Sequence, residues 1–209
     1  MTTIHATASS QTHHVAERAT VSARVSSVAP SREASVEGAT RLHNLLVSRA
    51  KQLRESGDAT WHSADPISTW ARKNYVDGTE AKAVTEHVTS SRVQVKLSNL
   101  ELVSAFVTEL ALLGAETEVS WSLTEASRRA HERQARKAAV LAAREVAEDY
   151  AEALGERIAR VVSVSDSPAA SSPMPGVRMM AAMDSRPSAE VTVAEITVSA
   201  AVQGEFESA

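Results

Sequence analysis

Hydrophobic residues recur along this chain at two spacings, and the switches between them mark out its elements. Three segments carry the helical spacing. In "SREASVEGATRLHNLLVSRAKQLRESG", Ala39, Leu42, Leu46, Ala50 and Leu53 fall on one face. Ser31 is placed to cap its start, and Gly57 to end it in the left-handed conformation. In "SNLELVSAFVTELALLG", Val103, Phe106, Val107, Leu110 and Leu113 form the stripe. Ser98 and Glu101 have the spacing of a capping box there, and Gly114 follows the last turn. The third helix opens at "SLTE", where Ser122 and Glu125 repeat that spacing, and stops at Gly155.

The intervening stretches alternate and predict strands. "RATVSARVSSV" buries Ala19, Val21, Ala23 and Val25 on one face, and "DATWHSA" follows the first helix. "VTEHVTSSRVQVKL" changes phase between Val84 and Val88 on one side and Val93, Val95 and Leu97 on the other, which predicts a bulge near Ser90. "EVSWSL" alternates through Val119, Trp121 and Leu123. "ERIARVVSVS" and "EVTVAEITVSAAV" are the last two strands, the final one changing phase around Glu195. The order β-α-β-β-α-β-α-β-β predicts an α+β fold, an antiparallel or mixed sheet with packed helices. No linker divides these strands, so one domain over residues 1–209 is expected. Aligning Gly57 on Gly114 places Leu46 over Val103, Ala50 over Val107 and Leu53 over Leu110, a weak repeat of strand, helix, glycine and strand.

The third helix contains "RQARKAAVLAAREVAEDYAEALG". Ala135, Ala139, Ala142, Ala143, Val146, Tyr150, Ala153 and Leu154 fall within one face of a helical wheel. The far side carries Gln134, Lys137, Arg144, Glu145, Glu148 and Glu152. A basic cluster (Arg128, Arg129, Arg133, Arg136, Lys137 and Arg144) is balanced within residues 125–154 by Glu125, Glu132, Glu145, Glu148, Asp149 and Glu152. No aromatic side chain interleaves with the basic residues to stack a base, so the pattern fits a solvated face or a subunit contact and not a phosphate track. Leu141 is the one large apolar residue on the charged side. With Arg133 and Lys137 it is a candidate subunit contact.

Composition narrows the chemistry. The net charge of −4 supplies no basic field for nucleic acid, and no apolar window is long enough to span a membrane. The N-terminal stretch lacks the charged and apolar regions of a secretion signal, so a cytoplasmic location is expected. There is no cysteine, which excludes thiolate chemistry. Aromatic content is 3%, so alanine and valine must fill the core, and small side chains gain enough burial only through close packing or subunit contacts. His13 and His14 are adjacent and would point to opposite faces of a strand. "HERQA" at His131 has Ala135 where a zinc-protease motif needs its second histidine. No nucleophile elbow or phosphate-cradling glycine loop occurs. No catalytic residue, metal site or cofactor is therefore expected. Trp61 and Trp70 flank "HSADPIS" and are candidate interface residues. Residues 165–189 are rich in proline and serine and carry Met174, Met179, Met180 and Met183; they read either as a disordered excursion or as a contact surface of adaptable methionines.

Over almost its whole length the chain resembles the SIMPL-domain family, which includes bacterial periplasmic immunogenic and oxidative-stress-defence proteins and a eukaryotic kinase-associated signalling adaptor. "IHATASSQTHHVAERATVSARV" is similar to the family's opening strand, a paired-strand entry before an A-T-V-S run. "VQVKLSNLELVSAFVTELALLGAETEVSWSLTEASR" resembles its central strand, helix and following strand. "ARKAAVLAAREVAEDYAEALGERIARVVSVSD" resembles its alanine-rich helix ending in Leu-Gly before a valine strand. Two departures stand out: there is no secretion signal, and "VTVAE" replaces the usual Pro-Gly before the last strand. The resemblance implies an α+β fold, assembly into large closed homo-oligomers, and no established catalytic residues. The expected function is non-enzymatic self-assembly for scaffolding, enclosure or stress protection, with the chain itself as partner and a possible protein cargo. The alternative is an adaptor that docks another protein through residues 165–189.

Overall fold

The computed structural model describes residues 1–75, 83–166 and 191–209. Their elements run β1 (Thr2–Val15), β2 (Arg18–Ala29), α1 (Arg32–Glu55), β3 (Ala59–Ala64), β4 (Ser68–Tyr75), β5 (Ala83–Leu97), α2 (Leu102–Leu112), β6 (Glu116–Ser122), α3 (Glu125–Ala153), β7 (Ile158–Asp166) and β8 (Glu195–Ser208). The fold is α+β with antiparallel sheets. The expected order omits β1 and β4. Polar residues occupy both faces of each of these strands, so alternation marks neither as half-buried. Met174, Met179, Met180 and Met183 lie outside the described residues.

Contacts gather the chain into two compact units where the sequence reading expects one domain. The first holds residues 1–16, the described part of 123–182, and 194–209; the second holds 17–122 and the described residues up to Val193. The chain changes unit at 16–17 and 122–123, within short turns, so composition does not betray the division.

The second unit is a five-stranded sheet in the order β3-β5-β2-β6, with β4 also paired to β5. Strands β2 and β3 both run antiparallel to β5 and hence parallel to each other, so β2–α1–β3 is a crossover around β5. By the same relation β5–α2–β6 crosses around β2. Two split β-α-β halves interlock, the three-dimensional counterpart of the weak repeat. Gly57 and Gly114 end the two helices with φ of 85° and 79°, where a Cβ would be strained. Alternate residues of the central strands, Ala19, Val21, Val25, Val93, Val95 and Leu97, meet Ala39, Leu46, Ala50 and Leu53 of α1 and Val103, Phe106 and Leu110 of α2 in one buried cluster.

Ser31 caps α1 as expected, accepting from the Ala34 N–H. At α2 the expected capping box does not form: the helix starts after Glu101 without a side-chain cap. The Ser98 hydroxyl instead donates to the carbonyls of Gly57 and Asp58, which β3–β5 pairing brings beside it. The expected bulge near Ser90 is also absent, since β5 stays in register with β2 from Leu97 to His87. The phase change there has another cause. Thr89 turns to α1 and bonds to Ser35, while Val88 turns to the opposite face between Val28 and Trp70.

The first unit is a three-stranded sheet, β1-β8-β7, with α3 along one face. The Thr124 hydroxyl, not Ser122, caps α3, because Ser122 is the last residue of β6. Ala135, Ala139, Ala143, Ala147 and Ala151 are the buried residues of α3, one i±4 ridge. Each places only a methyl between helix and sheet, so the backbones approach closely. Ile4, Ala6 and Phe206 pack under Ala147 and Ala151, Val202 under Ala139 and Ala143, and Leu123 with Val198 under Ala135. Tyr150, Ala153 and Leu154, expected on this buried face, are exposed, because the ridge rather than a wide stripe follows the sheet.

Candidate functional site

With the alanine ridge against the sheet, the opposite side of α3 is fixed by helical geometry. Arg133, Lys137, Leu141, Glu145 and Asp149 recur every four residues, form a second ridge, and are all exposed. Leu141 is 67% exposed. Elsewhere on α3, Arg129–Glu125, Arg128–Glu132 and Arg144–Glu148 pair within the helix, while Arg136 and Glu152 make no ion pair among the described residues. Among the described residues, no ion pair engages Arg133, Lys137, Glu145 or Asp149. Three of the expected contact residues, Arg133, Lys137 and Leu141, therefore do come together. Glu145 and Asp149 complete the ridge and were readable from the four-residue step.

Trp61 and Trp70 do not join that ridge. They belong to the second unit, on the sheet face opposite α1: Trp61 pairs with Lys96 and Trp70 with Val88, while Leu97 and Thr89 face the helix. Their partners lie eight positions apart on β5, a separation of about 26 Å, so the two indoles form no common patch. Both are about two-fifths exposed.

Strand β7 is a surface that alternation alone does not reveal. It pairs only with β8 among the described residues, and every position after Ile158 is exposed. Val161, Val162 and Val164 are 50%, 42% and 45% exposed. Register shifts between Ile158 and Arg160 and between Val161 and Ser163 break its alternation. Arg160 makes two hydrogen bonds to the Glu207 carboxylate, at 2.7 and 2.8 Å, which raise its own pKa and lower that of Glu207.

The remaining polar groups serve the fold. At the junction of α3 and β7, the Ser208 and Thr2 hydroxyls both donate to the Glu156 carboxylate and hold it below the usual carboxylate range. The backbones of Arg157 and Ala209 exchange hydrogen bonds beside it. Ser56 and Asn99 lower the Asp58 carboxyl in the same way, tying the end of α1 to the approach to α2. His13 and His14 do point apart: His13 contacts Thr197 at 3.1 Å, whereas His14 stacks on His131 with ring centroids 3.4 Å apart. His43 bonds to Ser91 at 2.8 Å. Among the described residues, no three histidine, aspartate or glutamate side chains are grouped to hold a metal ion. No described helix is long and apolar enough to cross a membrane.

No curated protein matches the chain. Similar solved structures include a putative amidohydrolase/peptidase from Burkholderia cenocepacia, at 16% identity and a TM-score of 0.26. Another is an amidase of the hydantoinase/carbamoylase family from Burkholderia multivorans, at 14% identity and a TM-score of 0.23. Each alignment covers 56% of this chain and 28% of the other, and at those scores the likeness carries no argument. The SIMPL family, by contrast, matches residues 4–206, across both units. On that match the chain belongs to the SIMPL family, described as a protein of unknown function (DUF541).

Proposed function

We propose that this protein acts by assembling with copies of itself into a closed homo-oligomer, a ring, barrel or cage that scaffolds, encloses or protects under stress, and that it catalyses no reaction. The family match assigns no activity of its own. The observation that carries the reading is β7, an edge strand with three exposed valines and, among the described residues, no strand paired to its outer side. Such an edge promotes uncontrolled pairing unless a defined partner covers it. A second copy is the partner every molecule meets. The alanine-rich core points the same way, since each small side chain buries little area and subunit contacts add to it. The cytoplasm is the proposed compartment, to be tested by cell fractionation. Size-exclusion chromatography with light scattering tests assembly: a mass of several chains is expected at micromolar concentration, and a strict monomer refutes the proposal.

A further inference from the structure

The outer ridge of α3 has a charge order complementary to its own reverse. It reads Arg133, Lys137, Leu141, Glu145, Asp149: two cations, one apolar residue, two anions, at equal steps. A twofold axis at Leu141 relates positions equidistant from it. Lys137 then faces Glu145 of a second copy, Arg133 faces Asp149, and the reverse contacts follow by symmetry. The helix rises 1.5 Å per residue, so these charges sit about 6 Å and about 12 Å from the axis. Parallel pairing would set like charges together. An acidic partner would be repelled by one half of the ridge and a basic partner by the other.

The geometry points to an isologous interface in which α3 of one copy packs antiparallel on α3 of another, centred on Leu141, through four symmetric ion pairs. This rests on the self-assembly reading and supplies its first contact. Three observations favour a second copy as occupant. The four charges are exposed and make no ion pair among the described residues, whereas Arg128, Arg129 and Arg144 of the same helix are already paired to glutamates. Leu141 is the most exposed large apolar side chain of the helix, at the position where a twofold contact excludes most water. Ala138, exposed beside it, offers only a methyl and lets the two backbones approach. A twofold contact is self-complementary and closes on itself. Closure into a ring or cage then depends on the rotation set by a further contact, such as one along β7.

Charge reversal with rescue tests the assignment. In Lys137→Glu, two glutamate–glutamate contacts replace two attractive pairs, and dissociation by light scattering or analytical ultracentrifugation should rise about tenfold or more. In the double variant Lys137→Glu with Glu145→Lys, the pairs are restored with their signs exchanged, and association should return to near the original value. Circular dichroism confirms that each variant is folded. An oligomer unaffected by Lys137→Glu, or a double variant weakened by the sum of the single effects, overturns the α3 interface and leaves self-assembly standing. A monomeric unmodified chain overturns both.

Discussion

Gly204 lies in β8 opposite Ala6 of β1 and Val164 of β7, and its reason for being glycine is space. Its backbone is not in the left-handed region, so alanine would meet no torsional strain. A Cβ there would lie 2.5 Å from Cε2 and 2.7 Å from Cζ of Phe206. Ordinary contact needs at least 3.4 Å, so the ring edge must retreat by about 1 Å. Phe206 is 2% exposed and wedged against Ile4, Ala6, Ala147 and Ala151, so the shift is passed to the alanine ridge of α3. Overpacking of this kind costs about 1–3 kcal/mol, partly offset by about 0.4–1 kcal/mol from the stiffer unfolded chain. Gly204→Ala should therefore destabilise by about 1–2 kcal/mol, a fall of about 5 °C in Tm. Urea titration would show a lower midpoint with an unchanged slope. Combining it with Phe206→Leu, which withdraws the ring edge, should cost about 1 kcal/mol less than the sum of the two single changes. A neutral Gly204→Ala, or strict additivity in the double variant, would refute this packing argument.

The start of α3 offers a sharper contrast between two hydroxyls. Thr124→Ala removes the observed cap and should cost about 1 kcal/mol in urea unfolding, while Ser122→Ala should stay within about 0.5 kcal/mol. Glu156 fixes an acid-side dependence. Its carboxyl is held low only in the folded state, so its contribution is complete above the unfolded value of about 4.3 and lost as pH falls through the lower folded value. Glu156→Gln should flatten the loss of urea stability between about pH 5 and about pH 3, and an acid limb as steep as the parent's would count against the clamp.

The three helices, their glycine stops and the β2–β5–β6 strands were legible because one face of each is buried and the residues say so by spacing. β1 and β4 were not. In β1 the buried side begins with Ile4 and Ala6 but continues through Ser10, Thr12 and His14, so apolar alternation ends midway. The two expected capping boxes failed for a non-local reason: Ser98 is claimed by the carbonyls of Gly57 and Asp58, and Ser122 belongs to a strand. The α3 wheel placed Ala135, Ala139 and Ala143 correctly, misplaced Tyr150, Ala153 and Leu154, and missed Ala147 and Ala151. Its face was drawn too wide for a helix that meets the sheet along one four-residue ridge. Leu141 was visible as the odd residue on a charged face. Its meaning needed the structure, which shows Arg133, Lys137, Glu145 and Asp149 exposed on the same line.

Because the chain has no cysteine, Leu141→Cys carries a single thiol, and oxidation reads out directly whether two copies of that position meet. Antiparallel helices packed about 8–10 Å apart bring facing Cα atoms within disulfide reach at the symmetry axis. Under mild oxidant at micromolar concentration, Leu141→Cys should convert nearly completely to a linked pair of chains, while Ser26→Cys, at an exposed position on the other unit, should remain single. A Leu141→Cys chain that stays single under the same conditions, or links no faster than Ser26→Cys, contradicts the twofold contact on α3.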